Sequence, residues 1–106
     1  MNRLMIVARL QDGAHEEAEA LLREGPPFDP EELGFHRHAA YLTASEVVFL
    51  FEAPEVEWIV NEIVDDPIRS TALGPWRKLI DGTPRLAHEY FYWTREQGKT
   101  GVGLGI

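Results

Sequence analysis

The sequence predicts one α+β domain, in which helices cover one face of an antiparallel four-stranded sheet. Three observations support this class. The apolar patterns follow the order β-α-β-β-α(α)-β, and the second and third strands are separated by a very short loop. The length of 106 residues allows one hydrophobic core but not two.

The first strand and helix occupy the first quarter of the chain. Residues 4–10 are apolar at nearly every position, which predicts a strand that is covered on both faces. Asp12-Gly13 turns the chain into a helix, and Glu16 and Glu17 in its first turn favour the positive end of the helix dipole. The helix ends at residues 25–27, Gly-Pro-Pro, and buries a stripe formed by Ala14, Ala18, Leu21 and Leu22.

A hairpin follows, and after it a helical region that is interrupted by prolines. Strands at residues 34–42 and 46–52 flank a loop that is short enough to make them antiparallel neighbours. Pro54 opens a second helix, whose apolar stripe is Val56, Ile59, Val60, Ile63 and Val64. A third segment begins at Pro67 and is broken at Gly74-Pro75, because a proline lacks the N–H that a continuing helix needs. The last strand covers residues 85–93.

This order of elements is the ferredoxin-like pattern, and it predicts a homodimer. Helices cover only one face of such a sheet, yet three of the strands are apolar or aromatic on both faces. A bare second face would exceed the roughly 300–600 Å² patch of a typical monomer. Two sheets packed face to face remove that patch and enclose a barrel-like interior. Trp58 lies opposite the stripe of the second helix, where we expect it to meet the partner or the tail.

We divide the chain into a domain of residues 1–94 and a glycine-rich tail of residues 95–106. The tail is expected to dock on the domain or on the partner subunit. Its GKT is no phosphate loop, because the upstream glycine, the preceding strand and the following helix are all missing.

Composition excludes several classes of function. The formal net charge of −8 argues against nucleic acid and anionic membranes as partners, since both need a basic surface. The absence of cysteine removes thiol nucleophiles, disulfides and cysteine metal sites. Arg3 and Arg9 interrupt the apolar start, which is therefore neither a signal peptide nor a membrane span. We expect a cytoplasmic protein.

The histidines of the second strand raise the question of a site. His36 and His38 share one face at period two, but a metal site needs at least a third ligand. His88, on the last strand, would lie at the opposite edge in the strand order 4-1-3-2, roughly three spacings of about 4.8 Å away. We therefore predict no metal site. Two interpretations remain: a polar pair at the rim, or catalysis, with His36, His38 and His88 as the candidate catalytic residues.

The face that points into the barrel depends on the hairpin register. Loops of two or three residues both fit the sequence TASE, and a one-residue slip exchanges the two faces. We favour the face of His36 and His38, because Arg37 can extend its charged end past the sheet edge. The aromatic strand residues are either core or the wall of a pocket for a flat apolar ligand. The candidate ligand-binding residues are Arg9, Arg37, Tyr41, Phe49, Phe51, Tyr90 and Tyr92.

Several segments resemble the dimeric α/β barrel superfamily over residues 3–95. They are LMIVARL, the hairpin ending VVFLFE, the paired helices with their prolines, and EYFYWTRE. That group includes small antibiotic-biosynthesis monooxygenases, stress-responsive barrel proteins and aromatic polyketide cyclases. The IVAR start and FYW ending are most similar to the cyclases. The resemblance implies a histidine on the third strand, where this chain has Phe49, and a basic residue at Arg37. Residues 54–80 lack the late-helix histidine of haem-degrading members.

Three functions are compatible with the sequence. The first is an enzyme without metal or organic cofactor, such as a cyclase, monooxygenase or isomerase, which acts on an aromatic or polyketide-like molecule. The second is a module that binds a small ligand without chemistry. The third is a structural dimer whose interior is filled by side chains. Fold alone does not choose among them.

Overall fold

The computed structural model describes residues 2–65, 74–96 and 98–100, with side chains described except at 62–65, 99 and 100. The four main strands form an antiparallel sheet in the order β2-β3-β1-β4, and a separate β5–β6 pair follows. The helices lie on one face of the sheet, so the predicted ferredoxin-like α+β class is confirmed. The elements are β1 (Asn2–Arg9), α1 (His15–Glu24), β2 (Arg37–Leu42), β3 (Glu46–Ala53), α2 (Val56–Asp65), α3 (Gly74–Arg77), β4 (Arg85–His88), β5 (Tyr92–Thr94) and β6 (Gly98–Thr100).

The register of the sheet assigns each side chain to one of two faces. Leu4 on β1 lies opposite Phe51 on β3, and Phe51 in turn lies opposite His38 on β2. Opposite residues of an antiparallel pair share a face. The helix-covered face therefore carries Leu4, Ile6, Ala8, His38, Ala40, Leu42, Val47, Phe49, Phe51, Ala53, Leu86 and His88. The other face, here called the outer face, carries Arg3, Met5, Val7, Arg9, Arg37, Ala39, Tyr41, Glu46, Val48, Leu50, Glu52, Arg85 and Ala87.

The orientation that we favoured for β2 is wrong. His38 lies under the helices, and Arg37 and Tyr41 lie on the outer face. The turn between β2 and β3 explains this. The Thr43 N–H donates to the Glu46 carbonyl, and the Thr43 hydroxyl accepts from the N–H groups of Ser45 and Glu46. The loop is therefore closed between Thr43 and Glu46, which fixes the register that sequence alone left open.

The core lies between the sheet and the helices in two adjoining clusters. One joins Leu4 and Phe51 to the apolar side of α2, and the other joins Ala8 and Val47 to α1 and Trp76. α1 begins after the predicted Asp12-Gly13 turn and ends at Gly25, whose φ of 88° is easily reached only by glycine. The predicted stripe of α1 is confirmed, since Ala14 and Ala18 are buried there.

The predicted last strand, residues 85–93, is broken in the structure. β4 ends at His88, which pairs with Leu4 near the start of β1. Beyond this point, although β1 continues to pair with β3 as far as Asn2, the chain leaves the main sheet. It resumes as β5 and pairs with β6, which belongs to the predicted tail. Part of that tail is therefore in a hairpin with the end of the domain.

Some predicted features lie outside the described residues. These are most of the third segment, from Pro67 to residue 73, and residues 101–106 of the tail. α3 begins at Gly74-Pro75, where a helix was expected to break; proline is accepted in a first turn because its missing N–H has no partner there. Within the described residues, no helix is long and apolar enough to cross a membrane.

The burial of the two faces can be tested at neighbouring positions of β1. Leu4 is 2% exposed beneath the helices, whereas Met5 on the outer face is 37% exposed. We expect Leu4→Ala to lower the free energy of unfolding by about 2–5 kcal/mol, because it leaves a cavity in the core. Met5→Ala, measured by urea denaturation at the same protein concentration, should cost clearly less. Equal losses would contradict the assigned faces.

Candidate functional site

A cavity of about 480 Å³ lies between the helix-covered face and the elements packed over it. Its volume is within the range of small-molecule sites, roughly 300–1,000 Å³. The lining side chains are mostly apolar and come from all four strands of the main sheet and from the surrounding segments. They include Ile6, Leu22, Pro26, Pro27, Phe28, His38, Ala40, Phe49, Phe51, Val60, Asn61, Trp76, Arg77, Ile80, Pro84 and Leu86.

Aromatic rings form much of the wall. Phe49 and Phe51 project from β3, and Trp76 meets the Phe49 ring edge-on at a centroid distance of 5.2 Å. Phe28 closes the side beyond the end of α1, with its ring 6.4 Å from that of Phe51. The Gly-Pro-Pro sequence before Phe28 ends α1 and carries the chain across the cavity. Such a wall suits a flat, apolar ligand.

His38 is a titratable group placed among these rings. Its imidazole stacks on Phe51 at 4.6 Å and lies 5.3 Å from the ring of Phe28. Its Nδ1 lies 3.0 Å from the backbone carbonyl oxygen of Leu50. Because a carbonyl only accepts hydrogen bonds, Nδ1 carries the proton, and in the neutral ring Nε2 is the acceptor.

The environment of His38 favours the neutral ring. Burial among apolar side chains lowers its pKa below the ordinary value of 6.5, and the hydrogen bond to Leu50 opposes that shift only in part. At neutral pH the side chain therefore presents an unprotonated nitrogen on a ring that lines the cavity. This is the protonation state that a general base requires.

The three predicted catalytic histidines do not form one site. His36 precedes β2, is exposed, and donates its backbone N–H to Glu52. His88 lies on β4, at the opposite edge of the sheet from β2, with its Nδ1 3.2 Å from Glu57 Oε1. Only His38 lines the cavity. In the described part of the chain, no three histidine, aspartate or glutamate side chains are grouped as metal ligands would be.

The predicted ligand-binding residues divide between the two faces. Phe49 and Phe51 line the helix-side cavity. Three others, Arg9, Arg37 and Tyr41, are on the outer face, away from it.

The two remaining candidates lie beyond the main sheet. Tyr90 is 79% exposed, and Tyr92 is half-buried with the Arg3 guanidinium 4.0 Å above its ring. Desolvation acts to lower the pKa of Arg3, but its hydrogen bond to Glu89 and the charge of Glu52 outweigh it and raise that pKa. Tyr92 therefore belongs to a charged cluster with Arg3, Glu52 and Glu89 at the end of the outer face, whereas Tyr90 is exposed to solvent.

Sequence reasoning missed the wall supplied by the segment after α1. Phe28 follows the Gly-Pro-Pro sequence that was predicted to end α1, and its contacts with Phe35 and Phe51 depend on the folded chain. One signal was present: a single aromatic residue directly after two prolines in an otherwise polar stretch. Trp76 is both buried and part of the cavity wall.

Comparison with known proteins shows the fold. No protein-family model matches the chain, and no curated protein matches it. Among solved structures, the tetracenomycin F2 cyclase of Streptomyces glaucescens, a type II polyketide cyclase, aligns at a TM-score of 0.61 with 16% identity, over 96% of this chain and 93% of the cyclase. Protein Atu4242 of Agrobacterium tumefaciens aligns at 0.56 with 17% identity, over 90% of this chain and 95% of that protein. The fold is thus the one that the resemblance implied.

The protonation of His38 makes the stability of the protein dependent on pH. Its pKa is lower in the folded chain than in the unfolded one, so the stabilisation is complete above about pH 6.5 and is lost as the pH falls through the folded value. The free energy of unfolding of the wild type, minus that of His38→Gln, should therefore decrease on acidification below pH 6.5. Urea denaturation over a pH series measures this. A difference independent of pH would contradict it.

Proposed function

We propose that the protein is an enzyme that binds an aromatic, carbonyl-bearing small molecule in the helix-side cavity and uses His38 as its general base. One observation carries the proposal: a histidine lines an apolar cavity with Nδ1–H held by the Leu50 carbonyl and Nε2 left as an acceptor. Because the fold is shared with a type II polyketide cyclase, a polyketide-like substrate is the natural first class to test.

The chemistry that this arrangement supports is proton abstraction next to a carbonyl group. Nε2 of His38 takes a proton from the carbon beside the carbonyl, and the C–H electron pair forms an enolate. The enolate carbon then attacks a second carbonyl of the same molecule, and the resulting alkoxide recovers the proton from the imidazolium. The ring thus ends neutral, as it began, and the sequence of steps needs no cofactor.

A second candidate function is non-catalytic binding in the same cavity. It is favoured by the stacking of His38 on Phe51 and by its hydrogen bond to Leu50, which together give the ring a structural role. The third interpretation, a structural dimer whose interior is filled by side chains, concerns the space between two outer faces and is independent of the helix-side cavity.

The enzyme is proposed to act as a homodimer formed through the outer faces. Met5 and Tyr41 are exposed on that face, and the aliphatic side chains of Val7 and Val48 are only partly covered. A second copy packed against them would remove this apolar area from water.

Proton abstraction can be measured with a simple aromatic ketone. We expect the wild type to accelerate exchange of the α-protons of 2-tetralone for deuterium in heavy water, followed by NMR. His38→Phe keeps an aromatic ring but has no base, and should lower the rate by about a hundredfold or more. His36→Phe is the matched control, since His36 is exposed outside the cavity, and should exchange like the wild type.

The outcomes separate the two candidate functions. If native mass spectrometry shows that both variants bind the ketone and both exchange it at the wild-type rate, His38 is not the base. If the wild type binds the ketone but does not accelerate exchange, the binding module is favoured. Circular dichroism of each variant verifies that it is folded.

A further inference from the structure

The helix-side cavity carries a single charged side chain among the described residues that line it. That residue is Arg77 of α3, and the other polar side chains of the described wall are those of His38 and Asn61. No carboxylate is among these lining residues, although the chain has 18 acidic and only 10 basic residues. In a mostly apolar site, the few polar groups orient the ligand and select its chemical class. The charge of this wall therefore favours an anionic ligand.

The fold places Arg77 at the mouth of the cavity. Its neighbour Trp76 is buried and meets the ring of Phe49 edge-on, which anchors α3 over the sheet. Arg77 lines the cavity but is itself exposed, as is Asn61 on α2. A lining side chain that is open to solvent lies where the cavity meets the surrounding water. The guanidinium and the amide are thus near the entrance rather than among the buried rings.

A row of aromatic rings connects α3 with the proposed base. The Phe49 ring lies 5.2 Å from that of Trp76 and 6.3 Å from the imidazole of His38, measured between ring centroids. The planes of Phe49 and His38 differ by only 13°, so they form a nearly continuous flat wall. A flat ligand that lies along this wall reaches from the helix that carries Arg77 to the imidazole.

The interior and the mouth differ in the groups that they can accept. An anionic group among the rings near His38 would lose its hydration without gaining a charged partner, which is costly. At the mouth, a carboxylate keeps part of its hydration and can pair with the guanidinium of Arg77 through two parallel N–H···O bonds. The amide of Asn61 can donate a further hydrogen bond. A ligand with both parts therefore fits in one direction, with its rings inside and its anionic group at the entrance.

We propose that Arg77 determines the substrate class of the site, which is an aromatic ketone with a carboxylate at the end remote from the reacting carbonyl. This rests on the proposed function of His38 and adds the group that orients the substrate toward it. The guanidinium binds the carboxylate and takes no part in the proton transfer. Arg77 is thus a residue of substrate specificity, and its removal should change which ligands bind.

Two derivatives of 2-tetralone differ only in the group that would meet Arg77. One carries a carboxylate at carbon 6, and the other carries a neutral carboxamide of nearly the same shape at the same carbon. We expect the wild type to bind the carboxylate about tenfold more tightly than the carboxamide in isothermal titration calorimetry, because hydrogen bonds between charged groups are stronger than neutral ones. Added salt should reduce this preference, since Arg77 is exposed.

Substitutions at two neighbouring cations provide the matched test. Arg77→Gln removes the charge and should bring the ratio of the two dissociation constants to about one, whereas Arg77→Lys should retain part of the preference. Lys78→Gln is the control, because Lys78 is exposed, pairs with Glu17 at 3.6 Å and is not among the described lining residues. It should keep the wild-type ratio. A purely structural role of Arg77 would weaken both ligands equally and leave the ratio unchanged.

The outcomes for Arg77 and for His38 are separable. A wild type that binds both derivatives equally, or an Arg77→Gln variant that keeps the preference, overturns the role of Arg77 and leaves the proposed base unaffected. A preference that Arg77→Gln abolishes, in a protein that does not accelerate deuterium exchange of 2-tetralone, supports the carboxylate site but contradicts the proposed enzyme. A wild type that binds neither derivative overturns both. Circular dichroism verifies that each variant is folded.

Discussion

The structure depends on the register of β3 between β1 and β2. That register places Phe51 level with Leu4 on one side and with His38 on the other. A slip of one residue would move every apolar side chain of β2 to the other face. The helix-covered core, the position of His38 in the cavity wall and the arginines of the outer face all follow from this single alignment.

The sequence was sufficient to predict the order of the elements along the chain and the order of the strands in the sheet. The periodicities distinguish strands from helices, and the short loop makes β2 and β3 neighbours. The sequence was not sufficient to predict which side chains of β2 lie on which face of the sheet, because that depends on whether Thr43 closes a loop of two or three residues. The side-chain hydrogen bonds of Thr43 decide this, and both outcomes are compatible with the sequence TASE. The break after His88 was missed because the strand-like alternation of residues 85–93 continues past it.

The site was predictable where strands carry it and not where loops do. Phe49 and Phe51 were named as candidate ligand contacts because they are aromatic residues at alternate positions of a strand, which share a face. Phe28 reaches the cavity from an irregular segment, whose path no periodicity predicts. Periodicity also does not distinguish the two histidines of this region. His36 and His38 look equivalent at period two, but the strand begins at Arg37, and only His38 is held in the aromatic cluster.

The two faces of the sheet meet at Leu50. Its side chain is buried on the outer face, while its carbonyl accepts the hydrogen bond that sets the tautomer of His38. A side chain and its carbonyl belong to the same residue, so in a close-packed interior a displacement of the side chain also shifts the carbonyl. If a second copy packs on the outer face, it contacts the residue that orients the proposed base. Assembly and chemistry would then be coupled through one residue of the central hairpin, although they occupy opposite faces of the sheet.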